Sequence, residues 1–118
     1  MQSTMNFALS KDQLELQASI RSFLEAQGYT RIGRRYMDGD RTAMVDVWDG
    51  MADLGYLGMM VPEKYGGTGL DFITVAAVVE EIGRAVVPGP VVETSVFAAV
   101  LINRCGTEDQ KNEWLPQI

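Results

Sequence analysis

The stretch LGYLGMMVPEKYGGTGLDFITVAAVVEEIGRAVVPGP, Leu54 to Pro90, places a glycine-rich loop directly before the strongest helical pattern of the chain. Asp71 can cap that helix, and apolar residues then recur at helical spacing as far as Ala85. Pro88-Gly89-Pro90 forces a break after the helix. This stretch therefore predicts a loop, a helix with one apolar face and a sharp turn.

Helical patterns also precede this stretch. Ser10 opens a capping box for a first helix that Gly28 should end, and Thr42 can cap a second helix that reaches about Leu54. Residues 28–41 between them are broken by glycines and are predicted to form a loop with at most one short helical turn. The residues predicted to face the core along the second helix are Val45, Trp48, Met51 and Ala52.

Two further helical patterns follow it. Residues 91–104 form a helix whose middle, Val96 to Ile102, is apolar on every side, so we expect protein to surround it. Thr107 opens a second capping box, and Trp114 and Leu115 should anchor the last helix. The sequence thus predicts an all-α fold, one domain of five or six helices over the whole chain.

Composition excludes several classes of protein. Ten Lys and Arg against 16 Asp and Glu give a net charge of −6, which opposes binding to nucleic-acid phosphates. The single cysteine, Cys105, excludes an internal disulfide and a cysteine metal cluster, and we expect it to be packed and inert. Without histidine the chain has no Ser-His-Asp triad, Cys-His dyad or His-ligated metal. The longest apolar run is too short to cross a bilayer, and these features together predict a cytoplasmic protein.

The glycine-rich loop, Tyr65 to Gly69, is a weak candidate for phosphate binding. A phosphate-binding loop needs a lysine and a hydroxyl residue after its glycines, and this loop leads to Leu70 and Asp71. A carboxylate at the start of a helix repels an incoming anion. We therefore favour a tightly packed turn.

Neighbouring carboxylates are weak candidates for acid–base or metal chemistry. Glu80 and Glu81 point about 100° apart on a helix and cannot share one substrate atom, so we expect one to face solvent and the other to pair with an arginine. Asp46, Asp49 and Asp53 lie on one stripe of a straight helix, which does not supply the curved oxygen cage of a calcium site. A solvated face is the favoured interpretation.

The helix that follows Pro88-Gly89-Pro90 opens with the polar residues Glu93, Thr94 and Ser95. Apolar walls with a few polar groups are typical of ligand pockets. Simple helix capping explains the same residues, and both interpretations remain open.

Several short motifs occur in a characteristic order. They are Ser10 to Gln13, Leu54 to Gly58, Val61-Pro62-Glu63, Tyr65-Gly66-Gly67, Gly69-Leu70, Glu80 to Gly83, Gly106 to Lys111 and Trp114-Leu115-Pro116. In this order and spacing the chain resembles, over nearly its whole length, the amino-terminal helical domain of flavin-dependent acyl-CoA dehydrogenases.

The resemblance implies an up-and-down helical bundle that packs on a middle β-domain and a carboxyl-terminal helical bundle, both absent from this sequence. It implies a reaction in which an acyl-CoA thioester loses an α-proton and transfers a β-hydride to FAD, with an electron-transfer flavoprotein as the reoxidant. It also implies a homotetramer or a related heteromer. The arginines Arg31, Arg34, Arg35 and Arg41 then have two interpretations, a solvated loop face or a contact with coenzyme A phosphates or a partner.

The resemblance also implies that this domain supplies one wall of the acyl-chain cavity. The residues that correspond to this wall are Pro90, Val91, Thr94, Ser95 and Ala98. No residue of this chain corresponds to the catalytic glutamate or to a metal or cofactor ligand, and the family's Thr-Glu-Pro flavin segment is absent. We therefore expect the chain to be inactive alone, as a truncated chain, a split gene product or a subunit completed in trans. The alternatives are a stand-alone helical interaction module and a small-ligand carrier.

Overall fold

The structure, a computed structural model, describes residues 5–118, and over these residues the chain forms helices and connecting loops without a β-strand. The predicted all-α fold of five or six helices is confirmed. The α-helices are α1 (Lys11–Gln27), α2 (Tyr29–Met37), α3 (Val45–Asp53), α4 (Phe72–Arg84), α5 (Ala99–Cys105) and α6 (Glu108–Trp114). Three 3-10 turns lie at Arg41–Met44, Glu63–Tyr65 and Leu115–Gln117, and a π-helical segment spans Val92–Ala98.

Helix α1 begins and ends as the sequence predicts. The Ser10 hydroxyl accepts a hydrogen bond from the backbone N–H of Gln13 at 3.2 Å, and the Gln13 side chain accepts one from the Ser10 N–H at 2.9 Å. Gly28 ends the helix with a left-handed conformation at φ 70°, which glycine adopts without a Cβ clash. The capping box therefore fixes the start of α1 and a glycine fixes its end.

Helix α2 corrects the prediction of a loop over residues 28–41. Ile32 is buried on the core side of α2, and Tyr29 and Tyr36 pack against the same core at helical spacing. Gly33 within the helix and Gly39 beyond it made the segment resemble a loop, because glycines interrupt the apolar pattern. Tertiary packing of three side chains outweighs that weak local preference.

Helix α3 also differs from its prediction. Asp40, not Thr42, caps the segment, because its carboxylate accepts a hydrogen bond from the Thr42 N–H at 3.1 Å and starts a 3-10 turn. The helix proper begins at Val45, which is 47% exposed. The residues of this region that are buried are Ala43, Val47 and Met51. The register predicted from Thr42 was therefore wrong at Val45 and Ala52, both exposed, and right at Met51.

Helices α1 and α4 form the centre of the fold. Asp71 caps α4 by accepting a hydrogen bond from the Thr74 N–H at 2.9 Å, as predicted. The two helices pack on each other and share one core cluster with α2, α3 and the loop after α3. The fully or almost fully buried members of this cluster on α1 and α4 are Ile20, Leu24, Val75, Val78 and Ile82. Burial of this apolar area is the main stabilising term for the domain.

The π-helical segment and α5 form one continuous rod, Val92–Cys105, which we call the outer helix. Its Ala99 joins a second, smaller core cluster with Val61, Tyr65 and Leu115. Thr107 caps α6 through a reciprocal capping box with Gln110, as predicted. Of the two predicted anchors Leu115 is buried, whereas Trp114 is 50% exposed.

The molecule is flat. Its principal extents are 54 × 42 × 19 Å, and its radius of gyration is 15.8 Å. A compact domain of this length has a radius of gyration of about 13.5 Å, and 19 Å corresponds to two helix layers. The slab therefore leaves broad helix faces uncovered on its surface.

Candidate functional site

The outer helix carries an uncovered apolar surface. Phe97 is 67% exposed and Leu101 is 48% exposed, and Phe72 at the start of α4 is 65% exposed beside them. With three valines they form a shallow groove of about 390 Å³, which ends at Arg104 and Cys105. We call this surface the outer face; its apolar residues are Phe72, Val92, Val96, Phe97, Val100 and Leu101. Contiguous exposed apolar groups of this kind mark interaction or ligand surfaces.

The outer face corrects one expectation about this helix. The helix was predicted to be surrounded because its middle is apolar on every side. In the structure only one side is enclosed, where Val91, Ser95 and Ala99 lie at 3%, 1% and 0% exposure. The opposite side of the helix is exposed and apolar. The helix therefore lacks a polar face because its exposed side is apolar, and the described residues do not cover that side.

The turn before the outer helix sets its π-helical start. Gly89 has φ 121°, a conformation that suits glycine, and a Cβ there would lie 2.8 Å from the Met44 side chain. The Thr94 hydroxyl donates a hydrogen bond at 2.7 Å to the carbonyl oxygen of Pro90. At the other end the Ala99 N–H donates to the carbonyl of Thr94, a five-residue step. π-helical turns of this kind occur frequently at functional sites.

One buried polar atom in the outer helix lacks a partner. The hydroxyl oxygen of Ser95, which is 1% exposed, is the one buried side-chain polar atom among residues 5–118 that forms no hydrogen bond. A buried hydroxyl without a partner costs free energy. Ser95 points into the protein, on the side opposite the outer face.

The five predicted wall residues do not share one surface. Pro90 is exposed, and Thr94 and Ala98 are partly buried. Ser95 lies on the inner side of the outer helix. Val91, directly before this helix, is also buried and contributes to a separate groove of about 350 Å³. Their role as a wall stays a prediction.

The sequence argument did not single out Phe97, Leu101 and Phe72, the exposed large apolar residues of the outer face other than valine. Their positions carried a signal. A run of apolar residues without any polar face is compatible both with burial on all sides and with an uncovered docking side.

Glu81 is the buried member of an ion cluster between α1 and α4, and its two arginine partners are partly exposed. Its carboxylate accepts hydrogen bonds from Arg21 at 2.5 and 3.0 Å and from Arg84 at 2.8 Å, and the Glu81 side chain is 4% exposed. Hydrogen bonds from Arg21, followed by those from Arg84, lower the pKa of Glu81 from 4.5 to about 2. A carboxylate held ionised in this way has a structural role, and Glu80 faces solvent, as the helical geometry predicts.

The glycine-rich loop packs against the segment that precedes it. A Cβ on Gly67 would lie 2.0 Å from the carbonyl oxygen of Val61 and 2.6 Å from that of Gly58. The Thr68 N–H donates a hydrogen bond to the Gly58 carbonyl at 3.1 Å, and the Gly69 N–H donates one to the Val61 carbonyl at 2.9 Å. The loop N–H groups are thus used within the chain, in agreement with the predicted tight turn.

The residues beside this loop do not fit a flavin. The groove there, about 860 Å³, contains the carboxylates of Glu63 and Asp71. Arg104 is the one cationic side chain among the described residues that line the groove, so the net charge of the groove is negative and opposes the pyrophosphate of a dinucleotide. Asp71 also occupies the helix start where a phosphate would bind. This groove is therefore unsuited to the pyrophosphate of a flavin dinucleotide.

The arginine group lies on and after α2. Arg35 pairs with Asp40 at 2.5 Å, and Arg41 stacks over the Tyr36 ring at 4.5 Å. Arg31 and Arg34 are exposed and form no ion pair with the described residues. The predicted solvated face is present, although on a helix and not on a loop.

The aspartate stripe of α3 and the single cysteine also lie at the surface. Asp46, Asp49 and Asp53 are exposed, and the described residues contain no group of three metal-ligating side chains. Cys105 is exposed at the end of the outer helix, which corrects the expectation of a packed thiol. No helix within residues 5–118 has the length and hydropathy needed to cross a membrane.

Fold and surface together define a class of protein: a flat all-α domain with a structural ion cluster at its centre and an uncovered apolar helix face. The family model described as acyl-CoA dehydrogenase, N-terminal domain, matches residues 10–118. The chain belongs to this family.

Named relatives agree with this assignment. The chain is 28% identical to acyl-CoA dehydrogenase FadE12 of Mycobacterium tuberculosis over 119 residues, 96% of this chain and 29% of that protein. It is 30% identical to mitochondrial isovaleryl-CoA dehydrogenase of Bos taurus over 93% of this chain and 26% of that protein. It is 34% identical to (2S)-methylsuccinyl-CoA dehydrogenase of Cereibacter sphaeroides over 67% of this chain and 15% of that protein. The chain therefore spans less than a third of the length of these relatives.

Proposed function

We propose that this chain is the helical domain of a flavin-dependent acyl-CoA dehydrogenase, in which it supplies an acyl-chain wall and a packing surface for the other domains. The observation that carries the proposal is the outer face, an apolar surface left open on a folded domain of this family. Such a surface suits a greasy tail or the apolar side of another domain, because removal of apolar area from water is favourable.

The wall proposal combines predicted and observed residues. Pro90, Thr94 and Ala98 reach the surface, and Phe97 and Leu101 extend the same rod outward. The buried residues Val91 and Ser95 would act indirectly, by setting how closely this segment approaches the protein interior. Thr94 and Ala98 are small and Phe97 is large. The depth of the acyl-chain cavity at this wall would therefore depend on the Phe97 side chain.

The reaction proposed for the assembled enzyme is α,β-dehydrogenation of an acyl-CoA thioester. FAD, held by domains other than this one, would supply the hydride acceptor. None of the described residues is proposed as catalytic, because the buried carboxylate of Glu81 is tied to two arginines and cannot take a proton near neutral pH. The chain alone is therefore proposed to be inactive.

The remaining parts of the proposal come from the family resemblance. Acyl-CoA would be the substrate, an electron-transfer flavoprotein the reoxidant, and the assembly a homo- or hetero-oligomer. A cytoplasmic location is proposed because a lone, exposed Cys105 suits a reducing compartment.

A second candidate is a helical subunit that completes a partner flavoprotein without binding the substrate. The same outer face favours it, since an apolar surface can be covered by protein alone. The two candidates differ in whether Phe97 changes the choice of acyl chain.

Substrate preference in a chimera tests the wall. In isovaleryl-CoA dehydrogenase of Bos taurus, the segment that matches this chain would be replaced by residues 10–118, and kcat/KM would be measured over acyl-CoA esters of increasing tail length. Phe97→Ala should raise the preference for longer tails by roughly tenfold, because a deeper apolar pocket accommodates extra methylenes. Asp49→Ala, at an exposed position of α3, is the matched control and should leave the chain-length profile unchanged. An unchanged profile for Phe97→Ala in an active chimera would support the subunit candidate and contradict the wall.

A further inference from the structure

The first half of the outer helix is wound differently from the second half. Val92–Ala98 is π-helical, whereas Ala99–Cys105 is α-helical. The enclosed side accordingly repeats every four residues, since Val91, Ser95 and Ala99 are all buried. An α-helix has 3.6 residues per turn, so a repeat of four residues fits a backbone that is underwound by i→i+5 hydrogen bonds.

This π-helical winding buries a polar group and exposes an apolar one. The Ser95 hydroxyl is enclosed without a hydrogen-bond partner among the described residues, which costs free energy. Val92 is 48% exposed and lines the groove of the outer face together with Val96. If the segment were α-helical, the seven residues from Ala99 back to Val92 would turn the chain to within about 20° of the enclosed side. Val92 would then be enclosed.

The α-helical winding buries no charge, and its gain at Val92 is opposed by a loss at Val91. Glu93 and Phe97 would lie about 120° and about 160° away from the enclosed side, so both stay at the surface. The Ser95 hydroxyl would reach the carbonyl four residues earlier, as serine hydroxyls in α-helices do. Val91 would turn about 80° away from the enclosed side and lose part of its burial. The two windings therefore have opposing advantages.

The turn before this segment is strained. Val86 has φ 51°, which is unfavourable for a β-branched residue, and its side chain is 72% exposed. Gly89, three residues later, has φ 121°. A change of winding must be taken up in this turn, because Ala99 at the other end of the segment is held in the second core cluster. Relaxation of Val86 would offset part of the cost of the change.

We propose that Val92–Ala98 exchanges between π-helical and α-helical winding, and that this exchange opens and closes the groove of the outer face on its valine side. In the π-helical state Val92 lines the groove. In the α-helical state Val92 packs inside, and the groove loses that wall. An occupant of the groove that contacts Val92 binds the π-helical state more tightly and shifts the population toward it. The exchange is a property of this chain and does not rest on the proposed function.

Nuclear magnetic resonance of the ¹⁵N-labelled chain tests the exchange. Relaxation dispersion detects exchange between microseconds and milliseconds, and saturation transfer detects slower exchange. We expect exchange at the amides of residues 91–98 and none at residues 100–105. Scalar coupling across the hydrogen bond of the Ala99 N–H identifies the acceptor, which is Thr94 in the π-helical state. In Val91→Ser, which weakens the apolar burial of that state, the acceptor should change to Ser95.

Two variants should shift the population in the opposite direction. Ser95→Ala removes the unpaired hydroxyl from the π-helical state and should lower the α-helical population by roughly fivefold. Val92→Ser removes the apolar group that the α-helical state encloses and should also lower this population. Val45→Ser makes the same change at a valine of similar exposure, 47%, on α3 and should leave the exchange unchanged.

Thermal unfolding followed by circular dichroism identifies the variants that remain folded, and only these are compared. A parent chain without exchange in residues 91–98 would overturn the proposal. So would Ser95→Ala or Val92→Ser if either altered the exchange no more than Val45→Ser does. A folded Val91→Ser in which the Ala99 N–H still donates to Thr94 would overturn it as well.

Discussion

A single carboxylate with almost no contact with water joins the two central helices. Glu81 on α4 is bound by Arg21 from α1 and by Arg84 from its own helix, while Arg84 also lies 3.9 Å from Glu25. A buried carboxylate that loses its partners is left as an unpaired buried charge, and one that loses its charge accepts weaker hydrogen bonds from the two arginines. The residue therefore links helix packing to pH.

Glu81→Gln should lower the free energy of unfolding by about 2 kcal/mol near neutral pH, because an amide cannot accept charge-assisted hydrogen bonds from both arginines. Denaturant titration of the variant measures this. Glu80→Gln, an exposed neighbour, should change stability little. Equal effects for the two variants would contradict a special role for Glu81.

The same carboxylate sets a pH dependence. The pKa of Glu81 lies at about 2 in the folded chain and at 4.5 ordinarily, so its stabilising contribution is complete above about pH 4.5 and is lost as the pH falls toward 2. Between pH 6 and pH 2 the free energy of unfolding should fall further in the parent chain than in Glu81→Gln. Denaturant unfolding curves recorded at each pH measure this difference. Parallel curves for both proteins would show that Glu81 does not carry this dependence.

Gly67 should tolerate no side chain. Gly67→Ala would force a methyl group onto two carbonyl oxygens, so we expect a loss of more than about 3 kcal/mol or failure to fold. Gly83→Ala, where a Cβ meets nothing within 4 Å on an exposed turn of α4, should raise stability by up to about 1 kcal/mol. Thermal midpoints measure both changes, and a neutral Gly67→Ala would contradict the close packing of the loop.

At the scale of elements, the outer helix combines an inner side that packs and an outer side that does not. Ser95 is the point where the inner packing is imperfect, since its hydroxyl is buried without a partner. Ser95→Ala should raise the free energy of unfolding by about 1 kcal/mol, because it removes that unsatisfied group. Thr94→Val, which deletes the bond to the Pro90 carbonyl, should lower it. A loss of stability with Ser95→Ala in denaturant titration would indicate that the hydroxyl has a partner, such as a buried water.

The elements also show what sequence could and could not establish. Caps at Ser10, Asp71 and Thr107 were predicted because capping depends on residues three positions apart. Helix α2 was missed because its stability comes from packing of Ile32 on distant residues, which no local pattern records. The cap at Asp40 was missed because Thr42 beside it offers an equivalent local signal.

The sequence directed attention to the helix that carries the outer face and not to the outer face itself. The turn Pro88-Gly89-Pro90 and the polar start after it were the signal, and the role of this helix as a wall stays a prediction. Which side of that helix stays open depends on how it packs on α4 and α6, and the inserted π-helical turn changes the rotation of every later residue. The family resemblance grouped Val91 and Ser95 with Pro90 in one wall, whereas in the structure Val91 and Ser95 are buried and Pro90 is exposed.

At the scale of the whole molecule, the slab exposes a contiguous apolar surface, the outer face. The chain spans less than a third of the length of the relatives it matches. We propose on these two grounds that this chain supplies the acyl-chain wall and that other domains carry out the electron transfer.

The most direct test compares the purified chain with an assembly in which it is co-expressed with the flavin-bearing remainder of an acyl-CoA dehydrogenase. Flavin absorbance and acyl-CoA-dependent dye reduction would be measured on both samples. We expect no flavin and no turnover for the chain alone, and stoichiometric flavin and turnover for the assembly. Stoichiometric flavin or dye reduction by the chain alone would contradict it.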